Sequence, residues 1–218
     1  MAWLEVSEKP IIKRTMLRDE VKDFILEAIL NGDLKPEDRV VETQVARRLG
    51  ISQAPVREAF RELEHVGVLH TEPYRGSFVK KLTPKELNER AVVRASLEET
   101  AIHLAIPNID EKYIKKLEEQ IDKMVDAARS GDARKMTKYN VGFHRLIIQK
   151  SGNEFLLSTW ENINPSSWTT ITTHLVNKDL VELAERHYEV LDAIKSYDPI
   201  HAGNVIRRHI EGLKPENN

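Results

Sequence analysis

The chain has no cysteine, which excludes disulfides and thiolate metal sites and fits a cytoplasmic protein. No apolar run reaches the length of a membrane span. The start, Met1-Ala-Trp-Leu-Glu-Val-Ser-Glu8, carries acids early and lacks the apolar stretch of a secretory signal. Aromatic residues are scarce, at 6%. Repeats and low-complexity tracts are absent, and so is His-Glu-x-x-His. There is also no excess of either charge: the net charge is -2, and basic and acidic residues are equal in number over 1–83. Nucleic-acid domains are usually basic, so this balance counts mildly against one. A dimer, however, needs only a local basic stripe. Arg47, Arg48, Arg57, Arg61, Arg75, Lys80 and Lys81 are the candidates for it. At 218 residues the chain suits one large domain or two modest ones.

The most informative stretch runs from Val41 to Val79. Val45, Ala46 and Leu49 share one face of a short helix that Gly50 is suited to end. Ser52 is placed to cap a second helix. Pro55 falls in the first turn of that helix, where it loses no ladder bond, and Val56, Ala59, Phe60 and Leu63 repeat at helical spacing as far as Gly67. Two helices joined by a short Gly-containing turn make a helix-turn-helix. Val68–Glu72, the turn Pro73-Tyr-Arg-Gly76 and Ser77–Lys80 then read as strand, turn, strand: a wing. Upstream, the periodicity of Leu17, Val21, Phe24, Ile25, Ala28 and Ile29 predicts a helix over 15–30, preceded by a loose arm over 1–14 and followed by a turn over 34–41. Residues 15–82 are thus expected to form a winged helix-turn-helix domain.

Thr83-Pro84-Lys85-Glu86 opens the second domain, 83–218, with the elements of a capping box. The pattern is then helical throughout. Helices are expected near 84–106, 110–129, 132–150, 153–174, 179–196 and 199–213, with Asn164-Pro165 kinking or splitting the fourth. The fold class is therefore mostly α: an N-terminal winged helix-turn-helix and a C-terminal all-α bundle.

Within the bundle, Asn140 and His144 are four apart and share a helix face. His187 lies eleven residues before Asp198, at the last turn, and His209 eleven after it. In an antiparallel hairpin both would sit at one height, roughly 16 Å from the turn at 1.5 Å per residue. Any one of these histidines alone reads as a hydrogen-bonded core residue. Three imidazoles at one level point instead to a metal site, with oxygen from Asn140 or water completing it. Arg94 is the best candidate for gripping a carboxylate, and an ion pair with Glu98, four residues on, is an equal alternative. The polar run Ser166, Ser167, Thr169, Thr170, Thr172 and Thr173 fits either a cavity lining or a solvent face.

Taken jointly, these motifs resemble the GntR family of bacterial transcription regulators, in the FadR-like branch whose C-terminal domain is the helical FCD domain. The resemblance runs from about residue 15 to 213. It rests on Leu34-Lys-Pro-Glu-Asp-Arg-Val-Val-Glu42, Ala46-Arg-Arg-Leu-Gly-Ile-Ser52, Pro55-Val-Arg-Glu-Ala59 and Arg75-Gly-Ser-Phe-Val79 in the first half. In the second it rests on Arg94-Ala-Ser-Leu-Glu98, Phe143-His144, Ser151-Gly-Asn153, His187 through Ile194 and Ala202 through His209. The six bundle helices are similar to those of the shorter, VanR-type subgroup. The resemblance implies a homodimeric, metabolite-responsive regulator, more specifically a repressor. Such a regulator would bind an operator in double-stranded DNA, and a small carboxylate is the expected effector.

The resemblance also implies that Asn140, His144, His187 and His209 match metal-ligand positions for a divalent transition metal such as zinc, nickel or manganese. Members commonly carry Asp at the position of Asn140; Asn keeps an acceptor oxygen and drops the charge. Members often carry Ser-Arg-Thr-Pro where this chain has Ser52-Gln53-Ala54-Pro55, which implies an altered operator.

For DNA, Arg57 and Ser52 are assigned to the backbone or base edges at the start of the recognition helix, and Gln53 to adenine. Arg47 and Arg48 are assigned to phosphates, with a solvated helix face as the alternative for both. Arg75 and Gly76 would carry the wing to the minor groove. Two rival readings use the histidines otherwise, as a metal-dependent enzyme or as a direct metal sensor. Against the first, no paired carboxylate near His144 and no nucleophile motif is found, so the expectation is that the chain is not an enzyme.

Overall fold

A computed structural model describes residues 12–81, 83–163, 165–175 and 178–213, and the chain divides into two compact units, Met1–Leu82 and Thr83–Asn218. Each is described by itself.

In the first unit α1 spans Ile12–Leu30, α2 Glu42–Leu49 and α3 Gln53–His65. Residues 12–14, expected to be part of a loose arm, are helical, since no glycine or proline interrupts 11–30. Gly50 adopts φ 65° and ends α2 by donating its N–H to Ala46 and Arg47 carbonyls, the left-handed cap expected of it. Ser52 occupies the N-cap position of α3, but its hydroxyl makes no capping bond and faces solvent. The capping expectation is thus met in backbone position only. Strand β2 (Leu69–Glu72) pairs antiparallel with β3 (Gly76–Val79), Thr71 opposite Ser77. Part of the stretch expected as a plain turn, β1 (Arg39–Val40), adds a third strand, Arg39 opposite Phe78, so the sheet order is β1-β3-β2. Val21, Ile25, Val56, Ala59, Phe60, Leu63, Leu69 and Val79 are buried and form the core. Glu62 of α3 ties down α1 by accepting from Arg18 and Lys22.

The second unit is helical. Helix α4 spans Pro84–Ala105, α5 Glu111–Arg129, α6 Ala133–Lys150, α7 Glu154–Asn162, α8 Pro165–Leu175, α9 Leu180–Lys195 and α10 Pro199–Glu211. Thr83 and Glu86 form the expected capping box, with Pro84 opening α4. Asp110, Asp132, Asn153, Asp179 and Asp198 cap the following helices through their side chains. The fourth predicted helix is split into α7 and α8 at Pro165, because proline cannot donate to the ladder and its ring crowds the preceding turn. Helix α10 packs along α4, α5 against α6 and α9, and α9 against α10. Ile102, Leu117, Ile121, Met124, Phe143, Ile147, Val190, Leu191, Ile194 and Ile206 fill the centre.

Candidate functional site

The histidine cluster is built by three helices. His144 of α6, His187 of α9 and His209 of α10 are all buried. Ring centroids lie 4.4 Å apart for His187 and His209, 5.3 Å for His144 and His187, and 5.5 Å for His144 and His209. One nitrogen from each falls within 4.8 Å of the others. The equal spacing of His187 and His209 from the Asp198 turn does bring them to one level. Phe143 packs edge-on against both His144 and His187, which fixes their planes.

The nitrogens are not equivalent. His144 Nδ1–H donates to Glu98 Oε2 at 2.5 Å, and His187 Nδ1–H donates to the Ala184 carbonyl at 3.0 Å. On each ring Nε2 is then the nitrogen with a lone pair to offer. His209 Nδ1 is buried without a partner among the described residues. Burial pushes all three imidazoles below their ordinary range, and the neighbouring rings push His187 and His209 further down. The rings are therefore neutral, the form that binds a transition metal. Asn140, also buried, lies one turn before His144; its Nδ2 is 2.9 Å from His187 Nε2, and its Oδ1 has no partner among the described residues. Three neutral imidazoles and an orphaned amide oxygen fit a divalent transition metal.

Glu98 is the residue whose part sequence reasoning missed. It is 1% exposed, and its carboxylate accepts from Arg94 Nε at 2.7 Å, His144 Nδ1 at 2.5 Å and Trp160 Nε1 at 2.9 Å. Burial alone would raise its pKa; the Arg94 charge and the His144 contact overcome that and hold it down at about 2. A carboxylate held ionised in this way fixes the tautomer and orientation of His144. The available signal is the four-residue spacing of Arg94 and Glu98, which by itself indicates an ion pair and nothing of His144 or Trp160.

Arg94 makes that ion pair and still faces the cavity. Nη1 donates to Thr169 Oγ1 at 3.1 Å, and Nη2 is buried with no partner among the described residues. The cavity, of about 400 Å³, is lined by Arg94, Asn140, His144, His187 and His209 at its polar end and by Leu87, Ala91, Met136, Leu183 and Ile210 elsewhere. The α8 run divides by helical spacing: Thr169, Thr172 and Thr173 line the cavity, whereas Ser166 is exposed. Trp168, also lining, has Arg90 over its ring at 4.0 Å and a buried Nε1–H without a described partner.

In the first unit the candidate DNA-facing side chains are exposed. Arg47, Arg48, Ser52, Gln53, Arg57 and Arg75 all reach solvent, and Gly76 is half-buried. Arg57 Nε lies 3.4 Å from Glu42 and Arg48 stacks over Phe24. Arg75 pairs with Glu72 and lies over Phe78. At the wing tip Tyr74 is fully exposed with φ 65°, and Gly76 takes φ 98°. A Cβ at Gly76 would also press on the Arg39 guanidinium at 3.3 Å.

Comparison with known proteins decides the family. The profile for bacterial regulatory proteins of the gntR family matches residues 17–79, and that for the FCD domain matches 89–212. The chain belongs to the GntR family and carries an FCD domain. This GntR-family chain is 32% identical over 204 residues to a probable D-xylose utilization operon transcriptional repressor from Paenarthrobacter nicotinovorans, covering 94% of this chain and 90% of that one. It is 27% identical over 192 residues to the regulator McbR of Escherichia coli, covering 86% of each. A solved structure of E. coli McbR/YncC superimposes with a TM-score of 0.68 at 25% identity, covering 90% of this chain and 96% of that one. Among the described residues no helix is long and apolar enough to cross a membrane.

Proposed function

We propose that this GntR-family chain is a cytoplasmic homodimeric repressor that releases or retunes its operator when a small carboxylate enters the FCD cavity. The observation that carries the effector half is a cavity walled by Arg94 and Trp168, whose Nη2 and Nε1 donors are buried without a partner among the described residues. Buried donors left without acceptors cost free energy that a ligand's acceptor oxygens recover. Apolar walls elsewhere exclude water and favour a compact ligand with an aliphatic part. His144, His187 and His209 would hold a divalent transition metal, with Asn140 Oδ1 as an oxygen donor. Such an ion, when bound, supplies a positive charge and open positions for a carboxylate.

In the DNA-binding unit, Arg47 and Arg48 meet phosphates, while Ser52, Gln53 and Arg57, at the exposed start of α3, meet base edges and backbone. Arg75 and Gly76 place the wing in the minor groove. No turnover is assigned to the histidines. Glu98, the acid beside them, is already spent on three donors, and the relatives named above are regulators. Two half-sites on one face of the duplex require two copies of the chain. The test is sedimentation with and without DNA selected from a random pool. A dimer that protects a two-fold symmetric site is expected; a monomer at micromolar concentration in both conditions would overturn the reading.

A further inference from the structure

We propose that the Asn140 amide takes the cation's place in the resting protein. The metal-facing lone pair of His187 is then satisfied without a metal, and a metal binds only by displacing that amide. The far side of His187 sets its tautomer. Its Nδ1 lies 3.0 Å from the Ala184 carbonyl, which can only accept, so Nδ1 carries the hydrogen. The neutral ring then offers a bare lone pair at Nε2, and the group 2.9 Å from it must be a donor. Asn140 meets that need with its NH2 group, which also fixes which way round the amide sits: Nδ2 toward His187, Oδ1 away and without a partner among the described residues.

The lone pair that a metal would use on His187 is therefore already engaged by an N–H. A cation entering among the three rings must break that bond, and turning the amide over then brings Oδ1 in place of Nδ2 to face the positive charge. A carboxylate at the same position would behave in the opposite way. Its oxygen would face the Nε2 lone pair with no hydrogen between them, a repulsive contact in a buried setting unless a proton or a cation intervenes. The amide thus satisfies His187 Nε2 without a cation, where an acid would make that contact dependent on one. The displacement step rests on the reading that these histidines can hold a metal; the resting hydrogen bond does not.

The test uses the full chain, purified without a histidine tag and treated with chelator. In ¹⁵N-labelled protein we expect a scalar coupling across the hydrogen bond between Asn140 Nδ2 and His187 Nε2, lost on addition of zinc. Calorimetry should show zinc binding to Asn140→Asp about tenfold or more tighter than to wild type, since the variant gains a charge and forfeits no hydrogen bond on binding. Chelator should lower the melting temperature of Asn140→Asp and leave wild type unmoved. Absence of the coupling in chelated wild type, with His187 Nε2 carrying a proton, would overturn the proposal. So would a zinc affinity unchanged by Asn140→Asp. If neither protein binds zinc while the coupling is present, the displacement step and the metal reading fall together, and the resting hydrogen bond stands. If the variant does not fold, the coupling alone decides. None of these outcomes depends on DNA or effector binding, so each is separable from the fate of the repressor reading.

Discussion

Replacing Glu98 by glutamine removes one charge from the hub that joins Arg94, His144 and Trp160. The shape is conserved, so packing is retained and the electrostatics alone change. Arg94 keeps its charge while losing its partner, and its side chain is only 15% exposed. Removing one partner of a buried ion pair costs about 3–5 kcal/mol, and residual hydration of Arg94 sets the expectation at the lower end, about 3 kcal/mol. For a helical domain of this size that is a loss of roughly 10 °C in melting temperature. The second consequence is chemical. A glutamine that keeps its oxygen on Arg94 and Trp160 presents its NH2 to His144. His144 must then accept at Nδ1, and its hydrogen moves to Nε2, the nitrogen a metal would need. Glu98→Gln should therefore lower metal affinity as well as stability, while the unit holding α1–α3 and the wing stays folded. Thermal unfolding by circular dichroism and zinc calorimetry check the two effects. A variant that melts within a degree or two of wild type and binds zinc unchanged would refute the role given to Glu98.

Acidification should destabilise the bundle. His144, His187 and His209 have folded-state pKa values below the ordinary value of 6.5, so the unfolded chain binds more protons than the folded one just below that pH. The stability they contribute is present above pH 6.5 and is lost as pH falls toward the depressed values, by up to about 1.4 kcal/mol per pH unit for each ring. Melting temperatures between pH 7.5 and 5.5 should fall, and less steeply in His209→Leu. Arg57→Ala should abolish specific operator binding without altering the melting profile, as footprinting would show. Gln53→Arg should move the preferred base at one position per half-site toward guanine in a selection from random DNA, because arginine pairs bidentately with guanine. Arg94→Lys should weaken a carboxylate effector about tenfold or more by calorimetry, since an ammonium lacks the planar fork.

Much of this was legible in the sequence, because the signals were local. Gly50, Pro55, the Thr83–Glu86 box and Pro165 mark helix ends through their own backbone chemistry, and the structure places a boundary or first turn at each. The meeting of His187 and His209 followed from equal distance to a turn. The contribution of Glu98 was not legible. Its partners lie 46 residues away at His144 and 62 away at Trp160, and no periodicity announces such contacts. The same holds for the Arg90–Trp168 contact and for β1, a two-residue strand too short to carry an alternation. The idle hydroxyl of Ser52 shows the reverse case: the right residue in the right place, with its expected bond unmade.

In the proposed function, one ligand in the FCD cavity controls DNA binding by the other unit. This control is tested most directly by titrating small carboxylates into the complex of the full chain with its selected operator, followed by fluorescence anisotropy, for wild type and Arg94→Ala. At least one carboxylate should change the operator affinity of wild type and have no effect on Arg94→Ala, compared at a temperature where circular dichroism shows both proteins folded, because the variant leaves Glu98 without its charge partner. An effect of the same size in both proteins would contradict the proposed function, as would tight operator binding that no carboxylate alters.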